Sequence, residues 1–369
     1  ASLDKLLGIY FLARICLNLF QLTEAMTLVL LIIGGVTIIS AVMMALVQHS
    51  YKRLLGYHAV SQVGYMVTGI ALGSPLGLIA GLFHMLNNAI YKSGLFLTAG
   101  SVEKRTGKED LDELGGLSKL MPLTFISALI FALSISGIPP FNGFASKWMI
   151  YQGLIEFGKG SGIAHQLWFV WLTLAVLGSA LTLASFVKFI SGIFLGSSNK
   201  KLVNVREVSI LMWLPQIILA LLCIGFGVFA VRLVIPALFA PITGEFSYPG
   251  IWNSQAVSIL ILVSIVLGVI IYLIGNIRNF RSEESFLGGE IIHDKSNYNP
   301  LEFYKTIGEF PLLAFFYRKA EHKWFDIYDL GRRFVLWLNG IFSFAHSGIL
   351  STYITWLIMG MVILLIILI

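Results

Sequence analysis

Ser136-Gly137-Ile138-Pro139-Pro140-Phe141-Asn142-Gly143-Phe144-Ala145-Ser146-Lys147 interrupts a long apolar run. In lipid, a helix broken by Pro139, Pro140 and Gly143 exposes backbone groups that only protein or a hydrated cavity can satisfy. An ammonium at the same depth is costly, so Lys147 reads as a functional group. The plainer reading, a stem lying in lipid with its head among the headgroups, suits Lys188 or Arg232 near span ends better.

Composition sets the class around this break. Of 369 residues, 57% are hydrophobic and 12% charged, more apolar surface than a water-soluble protein of that length can cover. The apolar runs are continuous and about twenty residues long. They predict an all-α polytopic membrane protein and exclude the alternating pattern of a β-barrel. The runs give about ten transmembrane helices, near 4–21, 26–48, 53–72, 76–100, 119–136, 139–157, 165–196, 207–234, 252–276 and 349–368, one of them proline-broken. Cys16 and Cys223 stand far apart in apolar stretches and read as buried thiols. With no paired carboxylates, triad, phosphate loop or metal-ligand spacing, no cofactor or catalytic group is expected in this chain. The net charge of +6, weighted toward the C-terminal third, suits a membrane surface rather than nucleic acid.

Residues 277–348 are of another kind. A polar start, with Arg281-Ser282-Glu283-Glu284, gives way to Phe303, Ile307, Phe310, Leu313, Phe316, Trp324, Ile327, Leu330, Phe334 and Trp337 at helix-like intervals, interleaved with Lys305, Arg318, Lys319, Lys323, Arg332 and Arg333. A long amphipathic helix lying along the membrane or against neighbouring subunits is expected; the alternative is a compact loop with a short helix. The bias of Lys and Arg places this segment on the cytoplasmic side, with Lys200, Lys201 and Arg206. Lys52, Arg53 and the loop 101–119 then fall on the outer face, as exceptions to the rule.

The fourth span carries His84-Met85-Leu86-Asn87-Asn88-Ala89-Ile90-Tyr91-Lys92. His84, Asn88 and Lys92 share one helix face at i, i+4 and i+8. Such a stripe faces protein or water; imidazole and a desolvated lysine both exchange protons, and Asn88 can hold a water between them. The alternative is interhelical hydrogen-bonding glue. The third span opens with Lys52-Arg53-Leu54-Leu55-Gly56-Tyr57-His58 and continues through Ser61-Gln62-Val63-Gly64-Tyr65. Lys52 and His58 join the same candidate pathway, although Lys52 also fits an interfacial anchor. Lys5 opens the first span, where an ordinary anchor is equally in keeping. Lysines, histidines and amides strung across a bilayer suit proton relay better than bond-making catalysis.

These segments resemble the antiporter-like subunits of respiratory complex I, multisubunit cation/proton antiporters and membrane-bound hydrogenases. The likeness rests on the Lys52–Tyr57 and Ser61–Tyr65 pieces, the His84–Lys92 stripe and Gly137–Lys147, in the family's order. The resemblance implies two inverted five-helix repeats, each with a broken helix, joined by a central line of titratable groups. On that likeness Lys5 corresponds to the lysine of the first repeat's broken helix, one residue further than usual from Arg14. Lys52, His84 and Lys92 correspond to the connecting residues, Lys147 to the terminal lysine, and Asn88 to a site that holds histidine in some members. The expected division is 1–52, last helices of a first, incomplete repeat; 53–197, the second five-helix repeat; 198–276, accessory spans; 277–348, polar linker and lateral helix; and 349–369, a closing span. The family's first helices are absent from the sequence, so a separate chain or segment is expected to supply that half.

The expected function is a proton-translocating, or alternatively sodium-translocating, subunit in the membrane arm of a redox-driven complex. Fe–S, flavin or Ni–Fe centres are expected in partner subunits, and the location is a cell or organelle inner membrane. A subunit of a gradient-driven Na+/H+ antiporter, or a structural brace with an inactive relay, are the alternatives.

Overall fold

The structure, a computed structural model, describes residues 4–195, 205–239, 241, 254–274, 310–322, 324, 326–346 and 348–368. These residues divide between two compact units, 1–304 and 305–369. The first is built from α1 (Asp4–Arg14), α2 (Glu24–Leu46), α3 (Tyr51–Ala71), α4 (Pro75–Thr106), α5 (Pro122–Ser136), α6 (Asn142–Phe157), the short α7 (Ile163–Gln166), α8 (Trp168–Ile190), α9 (Ile210–Val228), the short α10 (Ile235–Leu238) and α11 (Ser254–Ile274).

Local chemistry sets the ends of these helices. The Thr23 hydroxyl accepts from the Met26 N–H and caps α2; Ser74 does the same for α4, with Pro75 in its first turn, where a missing N–H costs nothing. α4 stops at Gly107, in the left-handed region at φ +67°.

Contacts at the helix ends define two faces. At one, the Tyr51 N–H donates to the Glu109 carbonyl and the Leu111 N–H to that of His49. The Leu117 N–H donates to the Ile193 carbonyl, and Arg105 to that of Glu207. At the other, the Ile163 N–H donates to the Glu24 carboxylate, Phe157 stacks on His165, and Phe83 meets Phe239. Along α4 from the first face to the second, Gly94 abuts Phe131, His84 bonds Ser146, and Gly77 abuts Gly153. The partners thus run in order down α5 and then α6, which are the two halves of one crossing.

This corrects the topology expected from sequence, where 119–136 and 139–157 were separate spans. With one crossing fewer, the strand of chain after α8 returns to the first face. Arg206 therefore shares a face with Lys52, Arg53 and the 101–119 loop instead of opposing them. Lys200 and Lys201 lie outside the described residues.

Two apolar clusters fill the unit. One, toward the first face, gathers Leu54, Leu55, Tyr91, Leu95, Phe131, Phe186 and Phe189. The other, toward the second, gathers Leu31, Ile38, Tyr65, Phe83, Met149, Leu154 and Trp171. α1 packs beside them through Ile9 and Ala13 on Met66, Val67 and Ile70. Between the two clusters lies a layer of buried polar side chains from α3, α4, α6 and α8.

The second unit holds α12 (Pro311–Glu321), α13 (Ile327–Ala345) and the apolar α14 (Leu350–Leu368). The amphipathic stretch is thus divided, among the described residues, into helices of 11 and 19 residues. The Asp326 carboxylate caps α13 through the Tyr328 and Asp329 N–H groups, and the Lys319 ammonium lies 3.4 Å from the centre of the Trp324 ring. The polar start near 281–290, with Phe303, Lys305, Ile307 and Lys323, lies outside the described residues. Among the described residues, four helices are long and apolar enough to cross a membrane by length and composition alone: α2, α8 with its extension to Leu195, α9 and α14. α3 and α4 fall short of that measure because polar side chains occupy their buried faces.

Candidate functional site

The end of α5 explains the position of Lys147. Gly137 adopts φ +80°, and its N–H donates to the Ser134 carbonyl while that of Ile138 donates to Leu133. This pair of bonds is a Schellman closure, which a glycine in the left-handed region permits. It leaves the Ile135 carbonyl open, and the Lys147 ammonium donates to it at 2.9 Å. The cation also sits at the negative end of the α5 dipole and 4.5 Å from the centre of the Tyr65 ring, a face that attracts positive charge. Pro139 and Pro140 carry the chain across the gap through a cis bond. α6 then starts so close to α5 that a Cβ at Gly143 would stand 1.8 Å from the Ser134 carbonyl oxygen. The Ser134 hydroxyl bonds the Asn142 side chain across the joint, and Asn87 of α4 donates to the Asn142 carbonyl at 2.9 Å.

His84 is fully buried and held from both sides. Its Nδ1 is 2.9 Å from Ser146 Oγ on α6, and its Nε2 is 3.0 Å from Gln62 Oε1 on α3. His58 is likewise fully buried and pairs through Nε2 with Ser185 at 2.7 Å.

Other polar atoms in this layer lack a hydrogen-bond partner among the described residues: His58 Nδ1, both amide atoms of Asn88, Asn87 Oδ1 and the Lys92 ammonium. Buried polar groups are ordinarily hydrogen-bonded, by water where protein supplies nothing. Lys5 reaches into the same layer, where its ammonium donates to the Ala59 carbonyl at 3.2 Å. Lys5, His58, His84, Asn88, Lys92 and Lys147 thus share one polar layer.

Lys52 does not join it. Its ammonium is ion-paired with Glu103 at 2.7 Å and Glu109 at 2.5 Å, with 38% of the side chain exposed. Both carboxylates belong to the end of α4 and the loop after it, so Lys52 ties two helix ends together at the first face. Lys188, read from sequence as a snorkelling residue, is instead buried and donates to the Leu46 and Gln48 carbonyls at 3.0 and 2.9 Å. It completes the C-terminus of α2 as Lys147 completes that of α5. Sequence reasoning missed the roles of Ser146, Ser185, Asn142 and Asn87. Spacing gave no sign of the first two, but Asn87 adjoins the stripe and Asn142 follows the double proline.

The fold and its polar layer define a class: polytopic helical membrane proteins built around a helix broken at mid-depth, with buried titratable side chains lining the break. Residues 1–182, just under half of the chain, match the family model described as NADH:quinone oxidoreductase/Mrp antiporter, TM. Formate hydrogenlyase subunit 3 of Escherichia coli (strain K12) is 35% identical over 249 residues, covering 64% of this chain and 41% of that protein. A chain in the structure of the membrane-bound sulfane sulfur reductase, an archaeal respiratory membrane complex, matches 98% of this chain at 25% identity, with a TM-score of 0.71 and 60% of its own length covered. A chain of the Mrp complex from Dietzia sp. DQ12-45-1b matches 64% of this chain at 26% identity, with a TM-score of 0.57 and 52% of its own length covered. The chain thus spans less than two thirds of each.

Proposed function

We propose that this chain is a proton-translocating membrane subunit of a redox-driven respiratory complex. The observation that carries the reading is the polar layer that gathers Lys92, His84, His58 and Lys147, with Lys5 at its edge, beside the helix break. Lysine and histidine repel Na+ and carry protons, which favours the proton as the ion moved. Like charges at this spacing repel, so a proton arriving on one lysine favours release from the next. Asn88, with water, bridges His84 and Lys92 within α4.

The sulfane sulfur reductase likeness supports a redox complex over a gradient-driven antiporter, because it extends over nearly the whole chain, whereas the Mrp likeness stops at 64%. In this reading the Fe–S, flavin or Ni–Fe centres belong to partner subunits. Other membrane-arm chains complete the complex, including one that supplies a first repeat. The basic first face is cytoplasmic, and the segment 277–348 lies on that side, braced against neighbours.

Lys147→Ala tests the relay. In membrane vesicles carrying the assembled complex, the variant is expected to abolish proton translocation while partner subunits still turn over. Unchanged translocation per turnover would leave only the bracing role. Co-purification of the chain without any redox subunit would instead favour the antiporter.

A further inference from the structure

Beside Lys147, on the side away from Lys92, three hydroxyls from three helices meet. Tyr65 of α3 is fully buried, and its hydroxyl donates to the Ala175 carbonyl of α8 at 2.6 Å. The same oxygen lies 3.0 Å from Ser179 Oγ, also on α8. Ser179 lies 2.5 Å from the Tyr151 hydroxyl of α6. Tyr151 follows Lys147 by four residues, so it stands one turn nearer the second face on the same side of the helix. Both Tyr151 and Ser179 are half-buried, so the row runs from the enclosed lysine to the periphery of the helix packing.

Each hydroxyl has one proton to give, and this fixes the direction of the row. Tyr65 commits its proton to Ala175, so Ser179 must donate to Tyr65 and Tyr151 to Ser179. In that arrangement a proton entering at Tyr151 is passed inward only as far as a backbone carbonyl, where it stops. Reversal needs all three hydroxyls to turn, Tyr65 from Ala175 to Ser179, Ser179 from Tyr65 to Tyr151, and Tyr151 away from Ser179. The row then points outward from Lys147.

We propose that Tyr65, Ser179 and Tyr151 form a latched hydroxyl wire through which Lys147 releases protons toward the second face. The inference rests on the relay reading of Lys147 given above. The proton leaves the Lys147 ammonium, which becomes an amine, and is taken by Tyr65 Oη through a bridging water. Tyr65 passes its own proton to Ser179, Ser179 to Tyr151, and Tyr151 to a water on the side of the second face. Every oxygen ends neutral, no phenolate forms, and the hydroxyls then turn back. The Tyr65–Ala175 bond is the latch, closed against return flow at rest.

The test compares Tyr151→Phe, Ser179→Ala and Lys147→Ala in the assembled complex, with proton translocation measured per turnover in vesicles. Tyr151→Phe keeps the ring and removes only the hydroxyl. Both hydroxyl variants are expected to lower translocation about tenfold or more, the scale of a lost proton-transfer group, at normal complex abundance. If both translocate as the unaltered complex does while Lys147→Ala does not, the wire is overturned and the relay stands. If the hydroxyl variants lower complex abundance but leave translocation per assembled complex intact, their role is structural and the wire is again overturned. If Lys147→Ala translocates normally, the relay reading itself fails.

Discussion

A lysine ammonium in an apolar interior must find carbonyl oxygens or water, and Lys147 and Lys188 find theirs at open helix ends. Hydrogen bonds to charged groups contribute about 1.5–3 kcal/mol, which fits a cation held in place until a neighbouring charge displaces it. Lys52 has different surroundings. Flanked by two acids at a helix start, it was indistinguishable in the sequence from a relay residue, because Glu103 and Glu109 stand some fifty positions away. Lys52→Ala is expected to leave translocation per turnover unchanged. Its effect belongs to stability: the hydrogen bond from Lys52 holds the Glu109 carboxyl below its ordinary value of 4.5. A carboxylate with a lowered folded-state value stabilises fully above the ordinary value and loses that contribution as pH falls through the lowered one. The difference in melting temperature between the unaltered chain and Lys52→Ala should therefore be constant near neutrality and shrink on acidification below 4.5. A difference that grows in acid would contradict the pairing.

α5 is a half-helix with a charge at each end. Its first turn has no cap of its own. Glu207 supplies one from 84 residues away, accepting from the Leu123 and Thr124 N–H groups at 2.9 and 3.2 Å and from the Thr124 hydroxyl at 2.6 Å. A carboxylate at the N-terminus and an ammonium at the C-terminus both favour the helix dipole. The break itself was legible in the sequence, since two prolines and a glycine at membrane depth allow little else. The union of α5 and α6 into one crossing was not, because it depends on which parts of α4 each half meets. Glu207 was equally hidden. The joint predicts a sharp contrast between two glycines. At Gly143 a methyl group would meet the Ser134 carbonyl at 1.8 Å, whereas at Gly100 of α4 nothing lies within 4 Å. Gly143→Ala should cost at least about 1–3 kcal/mol as overpacking and separate Lys147 from Ile135, lowering both melting temperature and translocation. Gly100→Ala should be neutral or stabilising by up to about 1 kcal/mol. Equal melting temperatures for the two variants would show that the joint is not closed as described.

At the scale of the whole membrane unit, the polar layer lies between two apolar clusters, midway between two faces that differ in their number of Lys and Arg. Class and broken helix followed from composition and the Pro139-Pro140 pair, yet the faces came out wrongly paired, because a single miscounted crossing inverts every loop after it. With α5 and α6 joined, Lys52, Arg53, Lys104, Arg105, Lys108 and Arg206 gather on one face, and the Lys52–Arg53 exception to the positive-inside rule disappears. Lys and Arg in short loops orient membrane proteins, whereas acids contribute little, so the carboxylates beside them do not weaken the inference. Between α6 and α8, the opposite face offers Lys159. Single cysteines at Arg53, Lys104 and Lys159, introduced after Cys16 and Cys223 are replaced by serine, test this with a membrane-impermeant maleimide. Inverted vesicles should label the Arg53 and Lys104 positions, and right-side-out vesicles only the Lys159 position. Labelling of Lys104 and Lys159 from the same side would mean that α5 and α6 turn back on each other. Lys147 would then stand at the tip of a hairpin, and a relay ending there would have no second half-membrane to cross.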